Sequence, residues 1–215
     1  MEKKTAENLL EIGAIKLRPE EPYTWASGWK SPIYCDNRLT LSYPKFRKEI
    51  TNGLYTLVCN FFPGITAIAG VATAGIPQGA LLADKMNLPF VYVRAKPKEH
   101  GMGNQIEGHL PQGSKILVVE DLVSTGKSSL EAVEALRKAG GDVTGMVSIF
   151  TYGFEIAKQN FDNAEVRLAS LTDYATLLEV ALEKKYITKA QLKTLEQWRQ
   201  NPDTWNVKGF KSETL

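Results

Sequence analysis

The chain contains only two cysteines and two histidines among its 215 residues. Two cysteines, Cys35 and Cys59, are too few for a disulfide framework, and we expect both to be reduced thiols. Neither stands in a metal-ligand spacing with His100 or His109. The composition therefore argues against a disulfide-stapled protein and against a zinc site.

The sequence also lacks a strong charge imbalance and a long apolar run. Lysine and arginine number 26 against 24 aspartates and glutamates, so no basic surface for nucleic acid or an anionic membrane is predicted. No segment has the roughly 20 apolar residues of a membrane-spanning helix. The first residues, Met-Glu-Lys-Lys-Thr-Ala-Glu, contain no apolar core of a signal peptide. We expect a cytoplasmic protein with no nucleic-acid or membrane partner.

Two common nucleotide-binding motifs are absent as well. A P-loop requires glycine five residues before its Gly-Lys pair, and Asp121 occupies that position. A dinucleotide fingerprint beginning at Gly101 lacks its third glycine, because Ile106 stands there. Neither motif accounts for the small-residue loop that follows Asp121.

Residues 115–129 carry most of the chemical information: Lys-Ile-Leu-Val-Val-Glu-Asp-Leu-Val-Ser-Thr-Gly-Lys-Ser-Ser. The apolar run Ile116–Val119 is typical of a short strand buried on both faces of a parallel sheet. Two carboxylates, Glu120 and Asp121, follow directly, and a loop of small residues comes next at 124–128. The order strand, acidic pair, loop predicts a ligand site at the end of the strand.

A helix is predicted after this loop. Ser128 and Glu131 have the spacing of a capping box, and Gly140-Gly141 would stop the helix. Backbone N–H groups at a helix N-terminus bind phosphate well. Lys127 near the positive end of the helix would be mildly unfavourable without an anion there.

The acidic pair indicates a second kind of ligand atom. Carboxylates repel a phosphate, so Glu120 and Asp121 are expected to face hydroxyl groups or a metal. A ribose phosphate satisfies both parts, with its hydroxyls on the acids and its 5-phosphate on the loop. A solvated acidic turn before a capped helix is the alternative interpretation.

Alternating strand and helix patterns predict an α/β fold with a central parallel sheet flanked by helices. We expect one domain over 1–215. Within it, residues 1–40 would form an N-terminal cap of short strands over the site, 41–170 the α/β core, and 171–215 the C-terminal helices.

The run 118–128 closely resembles the phosphoribosyl pyrophosphate signature of the type I phosphoribosyltransferases. Within that group the chain is most similar to the orotate phosphoribosyltransferase family, over nearly its whole length. The resemblance includes Ser-Gly-x-Lys-Ser-Pro at 27–32, Gly-x-Ala-x-x-Gly-Ile-Pro at 70–77, and Arg-x-x-x-Lys-x-His-Gly at 94–101.

The resemblance implies transfer of ribose 5-phosphate from phosphoribosyl pyrophosphate to N1 of orotate, which yields orotidine 5'-monophosphate and pyrophosphate for pyrimidine (UMP) biosynthesis. It implies Mg²⁺, held mainly by the substrate with no direct protein ligand. It also implies a homodimer whose active sites are shared between chains. The alternatives are a phosphoribosyltransferase for another nucleobase and, less favoured, a regulator that senses phosphoribosyl pyrophosphate.

By position, the resemblance implies catalytic roles for Lys98, His100 and Asp121. The residues expected to bind the substrates are Ser31, Tyr34, Cys35, Thr73, Ala74, Arg94, Lys96, Lys98, His100, Glu120, Asp121, Leu122, Val123, Ser124, Thr125, Gly126, Lys127 and Ser128. In this set Arg94, Lys98 and His100 would contact pyrophosphate, partly across the dimer, and Ser124 would also lie near the orotate.

Two further stretches suit a charged leaving group. The small-residue turn at 70–75 would let backbone amides approach pyrophosphate, and the loop at 94–108 would supply cations on a lid that excludes water. Taken alone, the turn could simply allow close helix packing, and the loop could be solvated surface.

The chain departs from the family where many members carry a cation or an aromatic–cation pair. The positions concerned are Ala26, Thr73-Ala74, Ala95 and Tyr152-Gly153. Lys30, Lys96 or Arg38 are candidates to replace the missing cations.

Overall fold

The computed structural model describes residues 1–25, 28–95 and 105–205. The helices are α1 (Glu2–Glu11), α2 (Pro44–Phe61), α3 (Gly75–Met86), α4 (Lys127–Lys138), α5 (Glu155–Asn163), α6 (Tyr174–Glu183) and α7 (Lys189–Gln200), with a 3₁₀ helix at Asn37–Ser42. The strands are β1 (Ile15–Leu17), β2 (Tyr23–Thr24), β3 (Lys30–Ser31), β4 (Ile33–Cys35), β5 (Ala67–Val71), β6 (Phe90–Val93), β7 (Ile106–Glu107), β8 (Lys115–Val123), β9 (Asp142–Thr151) and β10 (Leu168–Asp173).

The main sheet confirms the predicted α/β class. Within the described residues its strand order is β10-β9-β8-β5-β6-β7, and neighbouring strands are parallel except for the antiparallel pair β6 and β7. Strand β8 lies in the middle, and the run Ile116–Val119 is fully buried. Burial on both faces explains why this run is continuously apolar rather than alternating.

Strand β8 is longer than its apolar run predicts. It continues through the acidic pair to Val123, which pairs with Thr151 of β9. The apolar run ends at Val119 because Glu120, Asp121 and Leu122 line the cavity at the end of the strand. The backbone ladder with β9 continues, so Glu120 and Asp121 belong to the end of the strand and do not begin a loop.

The start of α4 differs from the prediction. The helix begins at Lys127, and its N-cap is Gly126 with a left-handed φ of 78°. A capping box from Ser128 is therefore wrong, since Ser128 already lies inside the helix. The predicted stop is confirmed, because the helix ends at Lys138 and Gly140 follows with φ of 85°.

Two elements, helix α5 and strand β7, were not predicted from the sequence. Helix α5 buries only Ala157 and Phe161 within its own bounds, which is too few to produce a clear 3.6-residue periodicity. Strand β7 has only two residues and is formed by pairing with β6.

The N-terminal segment forms short antiparallel pairs, β1 with β4 and β2 with β3. This part of the prediction, a region of short strands, is confirmed. Helix α1 starts at Glu2 and ends at Glu11, and the chain then pairs as a strand from Ile15, opposite Cys35 of β4.

An aromatic cluster joins the N-terminal segment to the C-terminal helices. Its members are Trp25, Phe150, Tyr152, Phe154, Tyr174 and Trp198. Trp198 of α7 is fully buried, and its indole Nε1–H donates to the Lys30 carbonyl at 3.0 Å. The indole thus contacts β3 at Lys30, Tyr152 just after β9, and Tyr174 at the start of α6. These contacts together hold the N-terminal segment against the C-terminal helices.

None of the described helices combines the length and apolar character that crossing a membrane requires.

Replacing Trp198 with alanine is expected to lower the free energy of unfolding by about 3–5 kcal/mol, because it removes a fully buried ring and leaves the Lys30 carbonyl without its donor. Equilibrium urea unfolding measures the change. Tyr186→Ala is the control, since its side chain is 51% exposed and its loss should change stability by about 0.5 kcal/mol or less. Equal losses in the two variants would contradict the anchoring role of Trp198.

Candidate active site

The candidate site lies at the C-terminal ends of β5, β6 and β8, the edge where ligands bind in open parallel sheets. A cavity of about 230 Å³ opens there, lined by Val71, Ala72, Thr73, Ala74, Val93, Arg94, Ala95, Gln105, Glu120, Asp121, Leu122, Ser128, Glu131 and Ala132. A larger cavity of about 1010 Å³ lies beside α4 and α5, but neither carboxylate of the acidic pair lines it. The smaller cavity is therefore the one that holds the acidic pair with Arg94 and Ser128, while Thr125 and Lys127 of the small-residue loop line the larger cavity.

The acidic pair is partly removed from solvent and internally hydrogen bonded. Glu120 is 6% exposed and Asp121 is half-buried. The Glu120 carboxylate accepts from Ser129 Oγ at 3.0 Å and from the Asp121 N–H at 3.1 Å. Burial, followed by the nearby Asp121 charge, raises the pKa of Glu120. Burial also raises the pKa of Asp121. Each oxygen still has acceptor capacity, so the pair is suited to accept from hydroxyl donors.

The small-residue loop has the form of an anion site. Gly126 takes the left-handed conformation just before α4, and no side chain in the described chain caps that helix end. The first N–H groups of the helix therefore remain free of a side-chain acceptor and form a site for an anion. Asn160 of α5 donates from Nδ2 to the Thr125 carbonyl at 2.9 Å, which fixes the loop from outside.

The turn at 70–75 brings α3 directly against β8. A Cβ on Gly75 would overlap the Val119 carbonyl, and one on Gly70 would lie 2.8 Å from the Gly75 carbonyl oxygen. These glycines therefore serve close packing. Thr73 and Ala74 also line the cavity, so the same turn presents its backbone to the site.

Arg94 directly follows β6 and lines the cavity. Its backbone N–H donates to the Gln105 carbonyl at 2.9 Å, and Gln105 Nε2 donates to the Arg94 carbonyl at 2.9 Å. These two hydrogen bonds fix the base of the predicted loop. Lys96, Lys98 and His100 lie outside the described residues, and their roles stay predictions.

The predicted base-binding residues have different surroundings. Tyr34 is 41% exposed and its ring centroid lies 5.4 Å from that of Tyr23. Ser31 is fully buried, and its Oγ donates to the Ile33 carbonyl at 2.8 Å, so this hydroxyl serves the local turn. Burial raises the pKa of the Cys35 thiol, which keeps it a neutral donor to Asn37 Oδ1 at 3.4 Å.

Two of the three candidate replacement cations, Lys30 and Arg38, already have partners. Lys30 Nζ donates to Thr24 Oγ1 at 2.8 Å, and the Arg38 guanidinium pairs with Asp36 at 2.6 Å. Ala26 and Lys96 lie outside the described residues. Tyr152, which stands near the position of the family arginine, is 2% exposed within the aromatic cluster.

Three polar residues of the site were not found from the sequence: Asn37, Ser129 and Asn160. Asn37 donates from Nδ2 to the Asp121 carbonyl at 2.7 Å; Ser129 and Asn160 make the contacts described above. Ser129 comes directly after the signature run 118–128, and extending that run by one residue would have included it. Asn37 and Asn160 act on backbone carbonyls far away in sequence, which no local pattern reports.

Within the parts of the chain that the structure describes, no three Asp, Glu, His or Cys side chains are grouped closely enough to hold a metal ion. The paired carboxylates of Glu120 and Asp121 are compatible with a Mg²⁺ ion that takes most of its ligands from substrate oxygens and water, which is how Mg²⁺ is commonly bound beside phosphates.

The raised pKa of Glu120 makes stability depend on pH. Between the ordinary glutamate pKa and the raised one, the folded protein holds a proton that the unfolded chain has released, so stability falls as pH rises from about 5 to 8. We expect Glu120→Gln to flatten this slope by on the order of 1 kcal/mol across that range. Urea unfolding at several pH values measures it, with Glu131→Gln on the same cavity wall as control. Parallel slopes for wild type and Glu120→Gln would contradict the assignment.

Comparison with known proteins identifies the family to which the chain belongs. The model of the phosphoribosyl transferase domain matches residues 41–175. The chain is 58% identical to the orotate phosphoribosyltransferase of Cytophaga hutchinsonii over 203 residues, which cover 94% of this chain and 97% of the relative. It is 56% identical to the enzyme of the same name from Bacteroides fragilis over 207 residues, 96% of this chain and 98% of the relative.

A solved structure has the same architecture. The crystal structure of orotate phosphoribosyltransferase from Aeropyrum pernix superposes with a TM-score of 0.73 at 30% identity, covering 85% of this chain and 99% of that one. Together with the signature run at the end of β8, these similarities show that the chain belongs to the orotate phosphoribosyltransferase family.

Proposed function

We propose that this protein transfers ribose 5-phosphate from phosphoribosyl pyrophosphate to N1 of orotate, releasing pyrophosphate and forming orotidine 5'-monophosphate. The observation that carries the proposal is the geometry at the end of β8, where the buried Glu120 and the half-buried Asp121 precede a helix N-terminus whose N-cap residue supplies no side-chain cap. The similarity to orotate phosphoribosyltransferases over almost the whole chain supports the choice of base.

The sugar phosphate would lie across these two groups. The 5-phosphate accepts hydrogen bonds from backbone N–H groups at the start of α4, where the positive end of the helix also favours it. The 2- and 3-hydroxyls donate to Glu120 and Asp121. Since both ends of the ribose are held, the anomeric carbon faces the cavity lined by Thr73 and Arg94.

Departure of pyrophosphate requires stabilisation of several negative charges. Arg94 lies on the cavity wall, and the neighbouring Lys96, Lys98 and His100 are proposed to add positive charge, with Lys98 and His100 acting in catalysis. The backbone of the turn at Thr73-Ala74 approaches from the other side. Mg²⁺ bound with the substrate would supply further neutralisation of the leaving oxygens.

The base is proposed to enter between the N-terminal segment and the end of β8. Tyr34 offers an exposed ring, Cys35 a neutral thiol, and Ser124 lies at the start of the phosphate loop. Orotate would be held with N1 directed at the anomeric carbon, so that the ring nitrogen replaces the leaving pyrophosphate oxygen.

We further propose a cytoplasmic homodimer in which residues of the 94–101 segment complete the partner's site. Family resemblance supports the dimer, and the two unpaired cysteines, Cys35 and Cys59, agree with a reducing compartment. A mixture of two impaired variants, Lys98→Ala and Asp121→Asn, would regain part of the lost activity if the sites are shared, because some mixed dimers contain one intact site.

The reaction can be tested by ultraviolet absorbance, following loss of orotate on mixing with phosphoribosyl pyrophosphate and Mg²⁺. We expect turnover that stops when Mg²⁺ is chelated. Loss of adenine, hypoxanthine or uracil under the same conditions, with orotate unchanged, would assign the protein to another nucleobase and contradict the proposal.

Asp121→Asn is expected to weaken binding of phosphoribosyl pyrophosphate by about tenfold or more, because a hydroxyl loses a charged acceptor in a buried site. The replacement is nearly isosteric, so the fold should be retained. Isothermal titration measures the affinity, and the control Asp142→Asn, at the exposed start of β9, should bind within twofold of wild type. Unchanged affinity in Asp121→Asn would remove the acidic pair from the ribose site.

A further inference from the structure

Asn37 connects the N-terminal segment to the end of β8. It is the first residue of the 3₁₀ helix and is 1% exposed. Its side-chain Nδ2–H donates to the Asp121 carbonyl at 2.7 Å, across a separation of 84 residues in the sequence. This hydrogen bond joins the segment that carries Tyr34 and Cys35 to the acidic pair.

The side-chain oxygen of Asn37 fixes the orientation of its amide, because Oδ1 accepts from Cys35 Sγ at 3.4 Å. The Asn37 backbone carbonyl accepts from Thr40 Oγ1 at 2.6 Å, a contact with the main chain and not with the side-chain amide. Gln78 of α3 in turn donates from Nε2 to Thr40 Oγ1 at 3.2 Å. Because the thiol can only donate usefully to the amide oxygen, the amide nitrogen is left to face the Asp121 carbonyl.

The sheet explains why β8 needs this donor. On one side, β8 pairs with β9 as far as Val123. On the other side, its pairing with β5 ends where Gly70 faces Val119. The acidic pair lies beyond that point, where β8 is paired with β9 but no longer with β5. Asn37 supplies a hydrogen bond to the backbone there, from a buried side chain instead of a strand.

We propose that Asn37 is a positioning residue for the transfer reaction: it holds the Asp121 backbone in register with the base-receiving residues Tyr34 and Cys35. This inference rests on the proposed function, since it assigns Asn37 to the alignment of the base with the sugar. Each half of the site has its own supports, among them Asn160 for the phosphate loop and the β1–β4 pairing for the base segment. Asn37 joins the two halves directly at the acidic pair, where it sets their fine alignment.

Loss of this contact should therefore reduce turnover more than binding. We expect Asn37→Ala to lower kcat by about 10- to 100-fold, because small misplacements of reacting groups cost that much. The KM values for phosphoribosyl pyrophosphate and orotate should each stay within about threefold of wild type, since the separate supports remain. Asn37→Ser, which retains a shorter donor, should have an intermediate kcat.

Thr40→Val is the matched control. Thr40 lies in the same 3₁₀ helix with the same 1% exposure, and it bonds to the Asn37 carbonyl but is not the residue that donates to β8. The variants are assayed at a temperature where circular dichroism shows each to be folded. We expect kcat of Thr40→Val within about threefold of wild type, even though both variants lose a buried hydrogen bond and some stability.

The outcomes separate the two proposals. A wild-type protein that does not consume orotate contradicts the proposed function and, with it, this inference. An active wild type contradicts the inference alone if folded Asn37→Ala turns over within twofold of it, or if Thr40→Val loses as much kcat as Asn37→Ala. Should Asn37→Ala fail to fold, Asn37→Ser decides: an unchanged kcat in that variant also overturns the inference, and a reduced kcat with unchanged KM values supports it.

Discussion

Burial of β8 on both faces is the constraint on which the rest of the structure depends. Its run Ile116–Val119 lies between β5 and β9 with no exposed surface, so a shift in register would move apolar side chains out of the core. The strand end is thereby fixed at the sheet edge. The acidic pair, the phosphate loop and the start of α4 follow in sequence, and their positions are inherited from the strand.

Placing two carboxylates at this edge of the sheet costs the folded protein some stability. Two adjacent carboxylates are held in a partly dehydrated site, where burial raises the pKa of each. Hydrogen bonds from Ser129 Oγ and the Asp121 N–H to the Glu120 carboxylate offset part of that cost. Perturbed carboxylates supported in this way are typical of sites that bind or transform ligands.

The sequence predicted the parts of the molecule whose signals are local. The buried run before Glu120, the glycine stop at Gly140 and the C-terminal helices around Trp198 all follow from composition and periodicity. Helix α5 was missed because it buries too few residues to show a periodicity, and the remaining failures in the strands and the site come from long-range contacts. Strand β8 continues to Val123 because β9 does, and β7 exists only beside β6. The side chain of Asn37 reaches a carbonyl 84 residues away, which a pattern within one segment cannot encode.

The central claim is that a sugar phosphate binds where β8 ends, with its hydroxyls on the acidic pair and its phosphate on the first amides of α4. A crystal structure of the protein soaked with ribose 5-phosphate tests it most directly. We predict phosphoryl oxygens within hydrogen-bond distance of backbone N–H groups at Thr125–Ser128, and ribose hydroxyls on Glu120 and Asp121. A ligand bound elsewhere, with Thr125 and Gly126 in contact only with solvent, would contradict the account.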